Sequence, residues 1–409
     1  MHKNNILLTL IAFMTYMVMS GLLTQIGVIL NDLAAQMGLP PAQAVSVFSW
    51  LTGGALTGTF SSLFIYSHFA VPRVMQLTYG LFLLVLMWLL ALTELSSSSL
   101  MAGLFLLGLC CGIGLAGGAV IISNIYQENQ RAAAFLSTDC AFSAAGFIFP
   151  SLAIVLLGAG IHWQWSYAAV GVVALLIFVC LLLVSFEPVA VSSKMAGSSA
   201  SPLKQIMTLP VILMGIGVCG HLIAQTTFLT WAPNYLQQSF GLTAQQAGAV
   251  VGNYWGLSIF GLISAALLVN KIPARTMLMV VAVIAIGITG FFNLTRDANS
   301  FLLMSFAFGF LTTCIYKIAM AVGSMQVAQA PPVLITFLLF SGNIGSTCAP
   351  ALSGWVVAHW GVAASMQMSW LAYVMVGVMF AVVLGMEQRR NVRVNAGLLL
   401  STAPNNEAN

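Results

Sequence analysis

The chain has 409 residues, 60% hydrophobic and only 5% charged, with a formal net charge of +4. A soluble globular chain carries about 25% charged residues, so this one, at a mean hydropathy of +1.02, cannot clothe a water-facing surface and reads as a polytopic membrane protein. The net charge is too small for a nucleic-acid footprint and follows from topology.

The N-terminal apolar run reaches about Leu30, too long for a cleaved signal core, and reads as the first transmembrane helix. Segments long enough to cross ~30 Å of hydrocarbon, about 20 residues each, recur to a total of twelve. They lie near 6–30, 43–68, 74–93, 99–126, 132–158, 164–186, 207–236, 245–269, 275–294, 300–327, 333–358 and 363–386. Short polar or Pro/Gly stretches punctuate them, such as Gly38-Leu39-Pro40-Pro41, Pro72-Arg73 and Pro331-Pro332. The longer hydrophilic piece from Glu187 to Gln205, rich in Ser, Ala and Gly, reads as a linker. The expected layout is a six-helix bundle over 1–186, a cytoplasmic linker over 187–206, a second bundle over 207–388 and a cytoplasmic tail over 389–409. All seven cysteines fall in apolar segments without metal-site spacing, and read as small buried hydrophobes.

Lysine and arginine placement sets the orientation. One side collects Lys3, Arg73, Arg131, Lys194, Lys204, Lys271, Arg275, Arg389, Arg390 and Arg393; the other keeps Arg296. Both termini are therefore expected in the cytoplasm, with the chain multi-pass in a bacterial inner membrane.

The two halves resemble each other. NDLAAQMGLPPAQA, from Asn31 to Ala44, aligns with NYLQQSFGLTAQQA, from Asn234 to Ala247, and Pro150 and Pro350 punctuate the fifth and eleventh segments. Polar and turn residues match here, rather than leucines alone. Such repeats belong to transporters built from two related bundles, with the substrate site at their interface. Chance similarity between apolar helices is the competing reading.

Twelve helices in two pseudo-symmetric six-helix halves, an all-α membrane fold, resemble the major facilitator superfamily. Ala224-Gln225-Thr226 in the seventh segment is similar to the Ala-Gln-Thr stretch of fucose:proton symporter-like members. Ile315-Tyr316 with Ala321-Val322-Gly323 resembles that family's tenth helix, although Lys317 stands where a proline would be. Thr138, Asp139, Ser143, Gly146, Phe149 and Pro150 resemble its TsgA-type branch. The resemblance implies transport of a small solute by alternating access, with protons as co-substrate, and supports Gln225 as a substrate contact. Two departures count against hexose symport by the family's usual route. The registers of the carboxylates in the first and fourth helices hold Gln25 to Gly27 and Gly114 to Gly118, and the loop after the second helix is reduced to YSHFAVPRV.

Asp139 is the sole carboxylate inside a predicted span; the other seven acidic residues lie at segment ends, in loops or in the tail. A charge near the bilayer centre costs at least ~2.5–3.5 kcal/mol, so it ordinarily faces a cavity, a partner or a pathway. Lys317 is the other deep charge. At ~1.5 Å per residue both sit about 10–15 Å from the cytoplasmic ends of their helices, so they are expected to meet between the halves as a coupling or gating pair. Snorkelling to the interface is the alternative for each. Gln225, His221, Gln25, Asn253, Asn343 and Tyr316 are the candidate substrate-binding residues. The histidine and amides could equally tie helices together. Tyr16, Tyr316, Trp231 and Trp255 also read as packing or interface anchors, and the glycines of the fourth segment, Gly108 to Gly118, as close helix packing.

No catalytic set, metal ligand group, cofactor motif or ATP-binding loop occurs, so neither an enzyme nor a primary pump is expected. The partners expected are a small polar solute, protons and the bilayer, with the chain acting as a monomer. A non-transporting sensor or assembly subunit on the same fold is the alternative.

Overall fold

The computed structural model describes residues 3–92, 96–126, 128–184, 208–269, 271–326 and 332–401. The linker expected over 187–206 lies outside them. Inside a bilayer the backbone must satisfy its own polar groups, which leaves the helix as the form these apolar runs take. The helices are α1 (Lys3–Thr24), α2 (Ile26–Met37), α3 (Pro41–Ala44), α4 (Phe48–His68), α5 (Val71–Ala91), α6 (Ser97–Ile125), α7 (Glu128–Gly158) and α8 (Gln164–Leu183). The second half has α9 (Leu209–Phe240), α10 (Ala244–Leu268), α11 (Ala274–Leu294), α12 (Ala298–Thr312), α13 (Ile315–Ser324), α14 (Pro332–Trp360) and α15 (Ala363–Ser401). Among the described residues, ten stretches are long and apolar enough to cross a membrane. Two further helices, α4 with 21 residues and α14 with 29, stand in the second and eleventh places.

The packing repeats between halves. In the first, α1 packs against α6, α7 and α8, α4 against α6, and α5 against α8; in the second, α9 packs against α13, α14 and α15, α10 against α12, and α11 against α15. The halves meet where α7 lies along α10 and α4 along α14, a reciprocal pair of contacts. The backbone specials repeat too. Gly38 and Gly241 cap the first and seventh crossings in the left-handed region, at φ 61° and 67°, and Gly160 and Gly361 do the same after the fifth and eleventh. Glycine takes that conformation without a Cβ penalty. The amide of Asn31 donates to Gln237 Oε1 at 3.3 Å, so the two aligned stretches sit together on one face.

Glycines set the closest contacts inside each half. A Cβ on Gly54, Gly58, Gly108 or Gly112 would run into a backbone carbonyl across the α4–α6 seam, and one on Gly261 or Gly309 into a carbonyl across α10–α12. Small residues let membrane helices approach this closely. At the end of the second half rich in basic residues, Arg275 forms a two-pronged ion pair with Glu387, with Nε 2.9 Å from Oε2, and the Gln326 amide lies 3.4 Å from the same oxygen. That group ties α11, α13 and α15.

The structure departs from the expected spans in three places. The first crossing breaks at Gln25, where the side-chain amide donates to the Gly21 carbonyl at 2.6 Å. The tenth breaks at Thr313–Cys314, where the Thr313 hydroxyl takes the Gly309 carbonyl and the thiol of Cys314 reaches Leu311. In both, a side chain competes for the acceptor the helix would use, which loosens the turn. The last helix continues to Ser401, 39 residues in all, so the part of the tail expected from 389 is helical as far as that residue.

Candidate functional site

The charged centre of the molecule is an ion pair between the halves. Lys317 Nζ lies 2.9 Å from Asp139 Oδ2, with side chains 39% and 17% exposed. The ammonium is the partner of Oδ2, which takes no hydrogen bond from any other described group. Asp139 stands within the apolar part of α7, and Lys317 is the third residue of α13, immediately after the break in the tenth crossing. Around them, Tyr16 of α1 shares a hydrogen bond with the Thr138 side chain. The Lys317 ammonium also lies 5.5 Å from the ring centroid of Tyr316. The crossing break thus sets an ammonium at the first turn of a new helix, the positive end of its dipole.

Beyond the pair, α7 and α10 interlock. Phe142, one turn past Asp139, meets the Trp255 ring edge-on at 5.5 Å, and a Cβ at Gly146 would lie 2.7 Å from the same indole. The indole N–H of Trp255 is buried without a partner. Trp255 abuts Tyr254, whose hydroxyl receives the Gln225 amide at 2.6 Å and lies 3.3 Å from Thr312 Oγ1. A polar chain therefore runs from half-buried Gln225 on α9 into the second bundle, beside the interface with α7.

The other sequence candidates divide. Tyr316 converges with Val218 and Leu222 of α9 upon Gly342, which precedes half-buried Asn343 on α14. His221 is fully buried; its ring meets Tyr373 at 5.7 Å and neither nitrogen has a partner. Gln25 is fully buried at the first-crossing break. The Asn253 amide donates to the Leu302 carbonyl at 3.1 Å, tying α10 to α12. Asp139, Lys317 and Tyr316 are therefore brought together, Gln225 reaches the α7–α10 contact through Tyr254 and Trp255, and His221 and Asn253 bond or pack within the second half.

In the sequence Tyr16 and Trp255 read as packing or interface anchors, and Phe142 and Tyr254 by themselves carry no mark of a role. Residue spacing carries a signal for Phe142, one helical turn from Asp139, but none for Trp255, whose partner is on the other half. A surface groove of about 540 Å³ among Leu257, Leu303, Phe306 and Phe310 is apolar and separate from the ion pair. Among the described residues no group of three or more His, Cys, Asp or Glu side chains could hold a metal ion.

The family model described as Major Facilitator Superfamily matches residues 7–330. A protein TsgA homolog of Enterobacter sp. (strain 638) is 30% identical over 380 residues, covering 92% of this chain and 94% of its own. Protein TsgA of Salmonella heidelberg (strain SL476) is 30% identical over 380 residues, covering 92% of this chain and 95% of its own. A crystal structure of a mutant of the nucleoside transporter NupG superposes with a TM-score of 0.74 at 11% identity, covering 93% of this chain and all of that one, a likeness of fold.

Proposed function

The chain belongs to the major facilitator superfamily, in its TsgA-type branch, and on that premise we propose that it carries a small polar solute across the bacterial inner membrane by proton-coupled alternating access. The observation that carries this reading is the Asp139–Lys317 contact between halves. Two deep charges of opposite sign can both stay ionised while paired, and parting them changes the cost of each. A group that gains a proton when parted from its partner couples proton movement to rocking of the halves. The bundles over 1–186 and 207–388 are the moving bodies, Gln225, Tyr316 and Asn343 line the solute's side of the pair, and both termini face the cytoplasm. The protein works as a monomer in this reading.

The test is uptake and efflux by the full-length protein in proteoliposomes. Labelled sugars, organic anions and nucleosides would be offered with an imposed pH gradient, and again with an uncoupler; nucleosides are included because NupG, a nucleoside transporter by its title, shares the fold. Uncoupler-sensitive flux that Asp139→Asn abolishes is the expected result. Flux unaffected by uncoupler and variant removes proton coupling, and no flux of any class favours the sensor or assembly alternative.

A further inference from the structure

The ion pair is unequal. Asp139 is the more buried partner, whereas 39% of the Lys317 side chain is exposed. An exposed ammonium with a recessed counter-ion can exchange that counter-ion for one arriving from water. Lys317 springs from the first turn of α13, whose ten residues begin anew at Ile315, and helix N-termini favour anions. The Trp255 N–H is buried and unpartnered against Phe142, one turn from Asp139. Among the described residues, the titratable groups that face Asp139 are Lys317 and Tyr316 of α13, Tyr16 of α1 and its neighbour Cys140. None of them is a second carboxylate.

We propose that the site takes a singly charged organic anion onto Lys317 in exchange for Asp139, and that Asp139 receives one proton in the same step. The inference rests on the carrier reading above and gives it a substrate class. The charges balance: the ammonium and carboxylate sum to zero beforehand, and the ammonium, the bound anion and the neutral acid sum to zero afterwards. The proton comes from the water that delivers the anion and sits on a carboxyl oxygen of Asp139. One anion and one proton then cross together with no net charge in the closed site.

The experiment reads the potential beside the pair without knowing the solute. Full-length protein keeps Cys140 while the other six of its seven cysteines become alanine. Labelling rates are compared for sulfonatoethyl methanethiosulfonate, itself a singly charged organic anion, and the cationic trimethylammonioethyl reagent. Their ratio cancels the thiol's own ionisation, which affects both alike. Asp139→Asn, standing for the protonated acid, is expected to raise the anion-to-cation ratio about tenfold, the factor given by ~1.4 kcal/mol of local energy. Lys317→Gln is expected to lower it, and acidification of the Asp139 protein to raise it as Asp139→Asn does. A ratio that Asp139→Asn leaves unchanged or lowers overturns the proposal, as does a Cys140 that neither reagent reaches, because the site must admit such an anion. If Asp139→Asn fails to assemble, the acidification arm decides: a rise supports the proposal and a flat ratio overturns it. Labelling from one membrane face only, in every variant, would instead sink the carrier reading.

Discussion

Lys317 Nζ and Asp139 Oδ2 lie 2.9 Å apart on opposite halves of the molecule, yet their side chains differ in exposure, 39% against 17%. The difference sets the scale of what parting them costs. Losing one partner of a fully buried pair costs ~3–5 kcal/mol, and an exposed pair is worth ~0–1 kcal/mol. Water at Lys317 places this pair between, at about 1–3 kcal/mol.

Asp139→Asn and Lys317→Met are each expected to impair transport and shift the balance of inward- and outward-facing forms, and the double variant to recover part of the shift. Cysteine accessibility from both membrane faces, on the two singles and the double, measures it. Purely additive effects would leave two independent residues.

The glycines separate fold from motion. Gly108→Ala places a methyl against the Leu51 carbonyl inside the first half, and overpacking of this kind costs ~1–3 kcal/mol. A lowered melting temperature in detergent is expected, with Gly287→Ala, which meets nothing within 4 Å, unchanged as control. Equal melting of the two variants would refute the close-packing account.

Gly146→Ala acts elsewhere, on the Trp255 indole across the halves. Its expected effect is a change in access with the melting temperature held, because the strain is relieved when α7 and α10 separate. Thiol labelling on the face shared by Asn31 and Gln237 should increase; unaltered labelling would remove this contact from the moving interface.

His221 has no partner for either ring nitrogen and packs on Tyr373. Replacing a buried unsatisfied group by an apolar one of similar shape is near neutral or stabilising. His221→Phe is therefore expected to keep both transport and stability. Lost transport in a well-folded His221→Phe protein would return the residue to the solute path.

Asp297 caps α12, its carboxylate accepting the Ser300 N–H at 2.8 Å and the Ser300 hydroxyl at 2.6 Å. Those bonds hold its pKa below the ordinary 3.8. The carboxylate therefore contributes stability above about pH 4, lost as pH falls below 3.8 through the folded value. Asp297→Asn should flatten that acid limb in a melting series; an unchanged limb would assign it to other groups.

Much of this was readable in the chain because its signals are local. Apolar runs give the crossings, and the Asn31–Ala44 and Asn234–Ala247 likeness gives the repeat. The depth of Asp139 and Lys317, counted along two helices, forecasts a meeting that the ion pair realises. The breaks at Gln25 and Thr313 were not legible, because apolar periodicity hides a side chain that bonds back to its own helix. The placement of His221 was also out of reach: depth says how far a residue lies from water along the axis, and nothing about which way it turns. Trp255 gained its place from Phe142 and Gly146 on the other half, a contact that no spacing within α10 encodes.

The glycine seams within the halves bring main chain against main chain. Such a seam has no rotamers to reshuffle, so it resists shear in a way that interdigitated side chains do not. Each half is thereby stiffened along one line, α4 on α6 and α10 on α12. Between the halves, Gly27 on Leu229 and Gly354 on Ala42 are main-chain contacts too, so sliding is left to the surfaces faced with side chains, α7 on α10 and α4 on α14. These are the bearings of the machine, and wear resistance is asked of its frame. Substitutions along the bearings should change how easily it turns, and those in the frame whether it stands.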